Sequence, residues 1–103
     1  MTRISALRNL GPVMERLLAE IDVRTEADLR RLGAIEAWRR LSFIHPRAMT
    51  RIGLYALAGA LIDRDWRDLP PDIKRGLDEA AAETRAARAP LRGRPATRRS
   101  DRR

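Results

Sequence analysis

A seven-residue segment, Leu-Arg-Asn-Leu-Gly-Pro-Val at residues 7–13, returns 22 positions later as Leu-Arg-Arg-Leu-Gly-Ala-Ile at residues 29–35. In each copy a Leu-x-x-Leu pair ends a short helical segment, a glycine follows, and a new amphipathic segment begins at once. This order is typical of a tight hairpin of two helices. The glycine suits a turn that needs a residue at positive φ, and its bare backbone leaves the N–H groups of the next helix open to an anion. The repeat therefore predicts two helical hairpins.

Helical spacing of apolar residues continues along most of the chain, and no segment alternates as a β-strand does. Pro12 suits the first position of a helix, where its missing N–H costs nothing, and Thr25 with Asp28 resembles a capping box. Thr50 is a second candidate cap, and it precedes the most apolar helix. Gly59 weakens the interior of that helix, so we expect it to make close contact with a neighbouring helix. The fold is predicted to be all-α, a compact bundle of five to six short helices.

The helical domain is predicted to span residues 1–89 and to begin with a short helix that runs to about Asn9. One face of the second helix, including Val13 and Ile21, is assigned to the core. From residue 90 onward nearly all residues are Arg, Pro, Gly, Ala, Ser and Thr, so residues 90–103 are predicted to form a disordered basic tail. The remaining predicted core residues are Met14, Leu17, Leu18, Leu29, Leu32, Ile35, Trp38, Leu54, Leu57, Leu61 and Leu77.

The net charge of +8 is concentrated at the C-terminal end. Residues 1–83 hold 14 Lys and Arg against 13 Asp and Glu, whereas residues 84–103 hold eight Arg against one Asp. This charge favours contact with nucleic acid or another polyanion, because each neutralised phosphate releases counterions; a merely solubilising tail is the alternative. The tail has no aromatic residue for base stacking, so no sequence readout is expected there. The arginines assigned to this contact are Arg92, Arg94, Arg98, Arg99, Arg102 and Arg103.

Several site classes are excluded by what the sequence lacks. It has no cysteine, which excludes disulfides and thiolate metal sites. It has no signal-like start and no apolar run long enough to span a membrane, so a cytoplasmic protein without membrane contact is expected. His45 has no second His or Cys with which to share a metal, and the loop with Asp63, Asp65 and Asp68 lacks the glycine and final glutamate of a calcium loop. With no recognisable catalytic set, the chain is predicted to be no enzyme and to need no metal or cofactor.

Five short segments stand in an order and at spacings that are specific in combination. They are Leu-Arg-Asn-Leu-Gly-Pro at 7–12, Thr-x-x-Asp-Leu at 25–29, Leu-Gly-Ala at 32–34, Tyr-x-Leu-x-Gly-Ala-Leu at 55–61 and Trp-x-x-Leu-Pro at 66–70. Together they resemble the C-terminal domain of the TfoX/Sxy family of bacterial competence regulators, over about residues 4–77. The resemblance implies a compact helical domain related to helix-hairpin-helix modules and an association with the activation of DNA-uptake genes.

The chain departs from the family pattern at two positions and in length. Ala58 stands where the family usually has Glu, and Asp63 stands where Gly is common. No partner contact through that glutamate is therefore expected. Longer members of the family carry an α/β domain before the helical one, whereas this chain begins directly at the helical domain.

The resemblance also implies where a nucleic acid would bind. Helix-hairpin-helix modules hold a phosphate with backbone N–H groups at the hairpin turn, and their turn usually has a further glycine two places earlier. Asn9 and Arg31 stand there instead; asparagine tolerates positive φ, whereas arginine tolerates it poorly. The alternative interpretation of both hairpins is that these residues serve only to pack the helices. The residues of the implied sites are Asn9, Leu10, Gly11 and Pro12, and in the second copy Arg31, Leu32, Gly33 and Ala34.

Two functions of different classes are compatible with these features. The first is a non-enzymatic, transcription-linked accessory protein that binds nucleic acid weakly and non-specifically through the hairpin backbone and the tail. The second is a protein–protein adaptor that docks through its helical surface, for example on a protein of the transcription machinery, with no direct DNA contact. Salt separates the two, because binding to phosphates weakens steeply as ionic strength rises. The sequence indicates neither a target promoter nor an oligomeric state.

Overall fold

Five α-helices and two short 3₁₀ turns make up residues 2–88, the part of the chain that the computed structural model describes. Within these residues the β-type pairing is an isolated bridge between Arg3 and Thr25, and the all-α prediction is confirmed. The predicted tail at residues 90–103 and the predicted domain boundary at residue 89 lie outside the described residues. The 3₁₀ turns are Ile4–Ala6 and Trp66–Asp68, and the helices are α1 (Pro12–Ala19), α2 (Glu26–Leu32), α3 (Ala34–Ile44), α4 (Arg51–Leu61) and α5 (Pro71–Arg88).

Two helix starts have the predicted geometry. Pro12 is the first residue of α1. At the start of α2, the Thr25 hydroxyl accepts a hydrogen bond from the Asp28 N–H at 3.2 Å. The Asp28 carboxylate accepts one from the Thr25 N–H at 3.3 Å, which completes the capping box. This exchange satisfies two N–H groups that a helix start otherwise leaves open.

Two other local predictions are wrong. Thr50 precedes α4 as expected, but its side chain makes no capping hydrogen bond. The first helix does not reach Asn9: it is a 3₁₀ turn that ends at Ala6, and Leu7 is already extended. Asn9 itself has a φ of 73°, which is incompatible with a right-handed helix.

The core forms around α4, the helix that the sequence marks as the most apolar. Every residue from 54 to 60 is buried, and α4 packs against α2, α3 and α5. Of the predicted core, Leu18, Leu29, Trp38, Leu54, Leu57 and Leu77 are buried, while Met14, Leu17, Leu32, Ile35 and Leu61 are partly buried against the others.

The core differs from the prediction near the start of the chain. Val13 is 64% exposed, so its assignment to the core is wrong, whereas Ile21 is partly buried as expected. Ile4, Leu10 and Val23 are buried although none was predicted to be. All three lie outside the α-helices, where helical periodicity carries no information about burial.

Polar contacts hold α5 against α3 and α4. The Tyr55 hydroxyl on α4 donates a hydrogen bond to the Asp78 carboxylate on α5. Burial and this bond raise the pKa of Tyr55 above its usual value. Further along α5, Nε of Arg39 on α3 donates to Oγ1 of Thr84 at 2.9 Å. The last helix is therefore anchored on both of its neighbours.

Candidate nucleic-acid interface

The first hairpin turn is held in place by the side chain of Asn9. Nδ2 of Asn9 donates a hydrogen bond to the backbone oxygen of Arg64 at 2.7 Å and a longer one to that of Ala56 at 3.5 Å. Oδ1 accepts a hydrogen bond from the backbone N–H of Trp66 at 3.2 Å. The φ of 73° at Asn9 is the positive value expected where related turns have glycine. We call this set of three hydrogen bonds the Asn9 clasp.

Gly59 provides the space for the Asn9 clasp. A Cβ atom at Gly59 would lie 2.6 Å from Nδ2 of Asn9 and 2.5 Å from the backbone oxygen of Arg64. The close contact that the sequence predicted therefore exists. Its partners are the loop after α4 and the Asn9 side chain rather than a neighbouring helix, so that part of the prediction is wrong.

The start of α1 is open to solvent. Gly11 precedes α1 with a φ of −127°, so the expectation of positive φ at this glycine is wrong. No side chain caps the helix, and a Cβ atom at Gly11 would meet nothing within 4 Å. Among residues 2–88, no acceptor receives a hydrogen bond from the N–H groups of Gly11, Val13 or Met14. Pro12 contributes no donor, so these three N–H groups are the ones available to an anion.

The second hairpin has a different turn despite its similar sequence. α2 continues through Arg31 and Leu32, and positive φ occurs only at Gly33, at 91°. The Gly33 N–H donates to the Leu29 oxygen at 2.7 Å, and the Arg31 guanidinium pairs with Asp28 at 2.8 Å. Positive φ is unfavourable for arginine, so Arg31 stays helical and the positive φ of the turn falls on Gly33. The expectation of positive φ at the glycine is confirmed at this hairpin.

The remaining residues assigned to the nucleic-acid site differ in burial and in role. Leu10 is buried, and its N–H donates to the Leu7 oxygen at 3.2 Å, so Leu10 serves the core and the turn. Ala34 begins α3 and is partly buried. The six tail arginines lie outside the described residues, and their role stays a prediction.

Charged groups flank the open start of α1. Arg16 is exposed and forms no ion pair among the described residues. Arg8 pairs with Asp63 at 3.1 Å. Glu15 accepts a hydrogen bond from the Ser5 N–H at 3.0 Å, which with the Arg3 guanidinium lowers the pKa of this carboxyl. The Glu15 charge is thus engaged by the first 3₁₀ turn.

Other site classes are not seen in residues 2–88. In that range no group of three or more His, Cys, Asp or Glu residues is placed to hold a metal ion. Nε2 of His45 lies 2.8 Å from a carboxylate oxygen of Glu20, a contact between the ends of α1 and α3. No described helix combines the length and hydropathy that crossing a membrane requires.

An exposed apolar surface at the end of α3 was missed by the sequence reasoning. Phe43 is 80% exposed and Ile44 is 48% exposed. A signal was present: the spacing of Ile35, Trp38 and Leu41 defines the buried face of α3, and Phe43 falls off that face. An apolar residue on the polar face of an amphipathic helix indicates a contact surface.

One family model and two solved structures match this chain over most of its length. The family model described as the TfoX C-terminal domain matches residues 1–81. The first structure is the crystal structure, in a triclinic form, of an uncharacterized protein from Listeria monocytogenes. Its sequence is 26% identical to this chain, the match covers 85% of this chain and 96% of that chain, and the TM-score is 0.75. A protein of unknown function from Listeria monocytogenes in a tetragonal form is 28% identical, covering 78% of this chain and 98% of that chain, with a TM-score of 0.68. No curated protein matches the sequence.

Proposed function

Because this chain belongs to the TfoX C-terminal domain family, we propose that it is a non-enzymatic, transcription-linked accessory protein of the cytoplasm that binds nucleic acid weakly and without sequence preference. The backbone at the first hairpin and the arginines of the tail supply the contacts. The association of the family with competence regulation favours a regulatory role.

The observation that supports this proposal is the open start of α1. The Asn9 clasp holds the turn, and among residues 2–88 no acceptor receives a hydrogen bond from the N–H groups of Gly11, Val13 and Met14. Backbone N–H groups and the helix dipole together favour a negative charge at a helix start. The space beside Gly11 is open, since even an added Cβ atom there would meet nothing within 4 Å, so a phosphate oxygen has room to approach the backbone. The exposed Arg16, about one turn further along α1, forms no ion pair within residues 2–88 and adds a positive charge nearby.

We infer a single backbone contact to phosphate, at the first hairpin, although the sequence implied a site at each of the two hairpins. At the second hairpin Glu36 stands in the first turn of α3, and its carboxylate lies 3.0 Å from Arg40. Glu15 likewise stands in the first turn of α1 and is also paired, with Arg3 at 3.2 Å. The two helix starts differ in the glycine N–H, which at Gly33 is already bonded to the Leu29 oxygen and at Gly11 has no acceptor among residues 2–88. We therefore restrict the proposed backbone contact to the first hairpin.

The tail supplies most of the charge. Residues 90–103 carry six Arg and one Asp, so their removal lowers the net charge from +8 to +3. Non-specific binding of basic proteins to DNA lies at about 10⁻⁴ to 10⁻⁶ M at physiological salt and falls steeply as salt rises. We expect affinity in this range for the full chain, and most of it should be lost with the tail.

A pair of glycine variants tests the hairpin contact. Gly11→Val places a branched side chain over the open N–H groups, and the extended backbone at Gly11 accepts it with a stability cost of about 1 kcal/mol as a poorer N-cap. Gly76→Val is the matched control, because a Cβ atom at Gly76 also meets nothing within 4 Å. Binding to a labelled DNA duplex is measured by fluorescence anisotropy at several salt concentrations, for full-length and tail-deleted protein.

The expected result is that Gly11→Val abolishes the affinity left after tail deletion, while Gly76→Val leaves it unchanged. Equal affinity for the two variants would contradict the hairpin contact. Failure of the full-length protein to bind DNA even at about 50 mM salt, where the electrostatic attraction is much stronger, would contradict nucleic-acid binding altogether.

A second candidate function, the protein adaptor, is favoured by the exposed Phe43 and Ile44. Apolar groups of this size on a small protein mark a docking surface more often than a nucleic-acid surface. Binding through this surface should change little with salt. The two functions depend on different residues, so variants at Gly11 and at Phe43 separate them.

A further inference from the structure

The backbone that leads into the open start of α1 contains one loose link. Leu10 is buried, and the ring of Pro12 sets its own φ. Gly11 lies between them without a side chain, and a Cβ atom there would meet nothing within 4 Å, so no packed side chain fixes its torsions. The direction of the Gly11 N–H therefore depends on how firmly the residues before it are held.

Asn9 holds those residues against a distant part of the fold. It has a φ of 73°, and its side chain bonds to the backbone of Arg64 at 2.7 Å and of Trp66 at 3.2 Å. These partners lie in the connection between α4 and α5, 55 and 57 positions away in the sequence. The Asn9 clasp thus anchors the chain two residues before Gly11.

Gly59 is the second part of this arrangement. It is buried within α4, where alanine would be the better helix former. A Cβ atom at this position would lie 2.6 Å from Nδ2 of Asn9 and 2.5 Å from the backbone oxygen of Arg64. Both atoms would have to move. A glycine that weakens α4 is therefore what allows the Asn9 side chain to reach Arg64.

The second hairpin shows the same turn sequence without such a clasp. Arg31 stands in the place of Asn9 in the repeat, stays within α2 and pairs with Asp28. The Gly33 N–H donates to the Leu29 oxygen at 2.7 Å, so it is not open to an anion. Of the two copies, the one with the asparagine is the one whose glycine N–H has no acceptor among residues 2–88.

We propose that Asn9 and Gly59 are positioning residues for the phosphate contact at the first hairpin. This inference rests on the proposed function, since it concerns the same contact. The Asn9 clasp orders the turn before a phosphate arrives, so the open N–H groups are preorganised. Without the clasp this order must be gained on binding, and fixing the backbone of one residue weakens a contact by about fivefold to thirtyfold.

Amide NMR spectra of the full-length chain test the proposal during titration with a short DNA duplex at about 50 mM salt. In the unaltered chain the amide signals of Gly11, Val13 and Met14 should shift. Asn9→Gly retains positive φ but has no side chain to form the clasp, and Gly59→Ala displaces the clasp without removing any hydrogen-bonding group. Both variants should lose most of the shift at these three amides, while the unchanged tail still binds the duplex.

Leu41→Ala is the control for stability. Leu41 is fully buried in α3 and takes no part in the Asn9 clasp, so this variant is destabilised through the core and should keep the shifts at the three amides. A purely structural role of the clasp would affect the control and the two clasp variants alike. Thermal melts define a temperature at which every variant is folded, and all titrations are carried out there.

The outcomes separate this inference from the function on which it rests. Shifts at the three amides that remain unchanged in Asn9→Gly and Gly59→Ala would overturn the positioning role and leave the hairpin contact in place. Loss of the shifts in Leu41→Ala as well would also overturn it. Absence of shifts at these amides in the unaltered chain would refute the hairpin contact itself, and the positioning role with it.

Discussion

Replacing Asn9 by alanine should be the most destabilising change available at the surface of the first hairpin. The substitution removes the 2.7 Å hydrogen bond to the Arg64 oxygen and the 3.2 Å bond from the Trp66 N–H. It leaves those two backbone groups without their partner. It also places an alanine at a φ of 73°, a region that asparagine tolerates better.

The magnitude follows from these two losses. Each hydrogen bond contributes about 0.5–1.5 kcal/mol net, and the unfavourable φ costs alanine about 1 kcal/mol. Asn9→Ala should therefore lower the free energy of unfolding by about 2–4 kcal/mol. For a domain of this size, about 4–8 °C of melting temperature corresponds to 1 kcal/mol, so the melting temperature should fall by roughly 10–30 °C.

Thermal and urea unfolding followed by circular dichroism measure this effect, and Asn9→Gly separates its two causes. Glycine loses the same hydrogen bonds but adopts positive φ freely, so Asn9→Gly should be about 0.5–1 kcal/mol more stable than Asn9→Ala. A fall of less than about 3 °C for Asn9→Ala would refute the reasoning. It would show that the turn is held by its flanking apolar contacts and that the Asn9 clasp contributes little.

Three further predictions concern the core, the tail and acid. Leu57→Ala should cost about 2–5 kcal/mol, because Leu57 is fully buried at the centre of α4; a near-neutral melting shift would contradict its central position. Deletion of residues 90–103 should leave the melting temperature nearly unchanged, and unfolding of the shortened chain would show that the domain boundary is wrong. Hydrogen bonds from Arg67 hold the pKa of Asp65 at about 2, below its usual 3.8. The ionised carboxylate therefore contributes its full share of the free energy of unfolding above pH 3.8, and that share is lost as the pH falls through about 2. Asp65→Asn should lose less stability than the native chain between those pH values, as measured by urea midpoints, and parallel profiles would contradict this.

The features that were predictable from sequence depend on residues close together in the chain. The capping box needs only Thr25 and Asp28, three residues apart, and Pro12 selects a helix start through its own ring. The helical spacing around α4 predicts its burial because one stripe of the helix, read along the sequence, is almost wholly apolar. The tolerance of asparagine and the resistance of arginine to positive φ likewise distinguish the two hairpins before any contact is known.

The tertiary structure decided what depends on residues far apart. Asn9 and Arg64 are 55 positions apart, so neither the clasp nor the reason for Gly59 could be read locally. Val13 is exposed although its spacing fits the core face of α1, because the periodicity of a helix shows which residues share a side but not what covers that side. The spacing of α3 places Phe43 off the buried face, but only the packed structure shows that 80% of its surface stays uncovered. Burial is a property of the packed neighbours, and only the assembled helices determine which neighbours a side chain has.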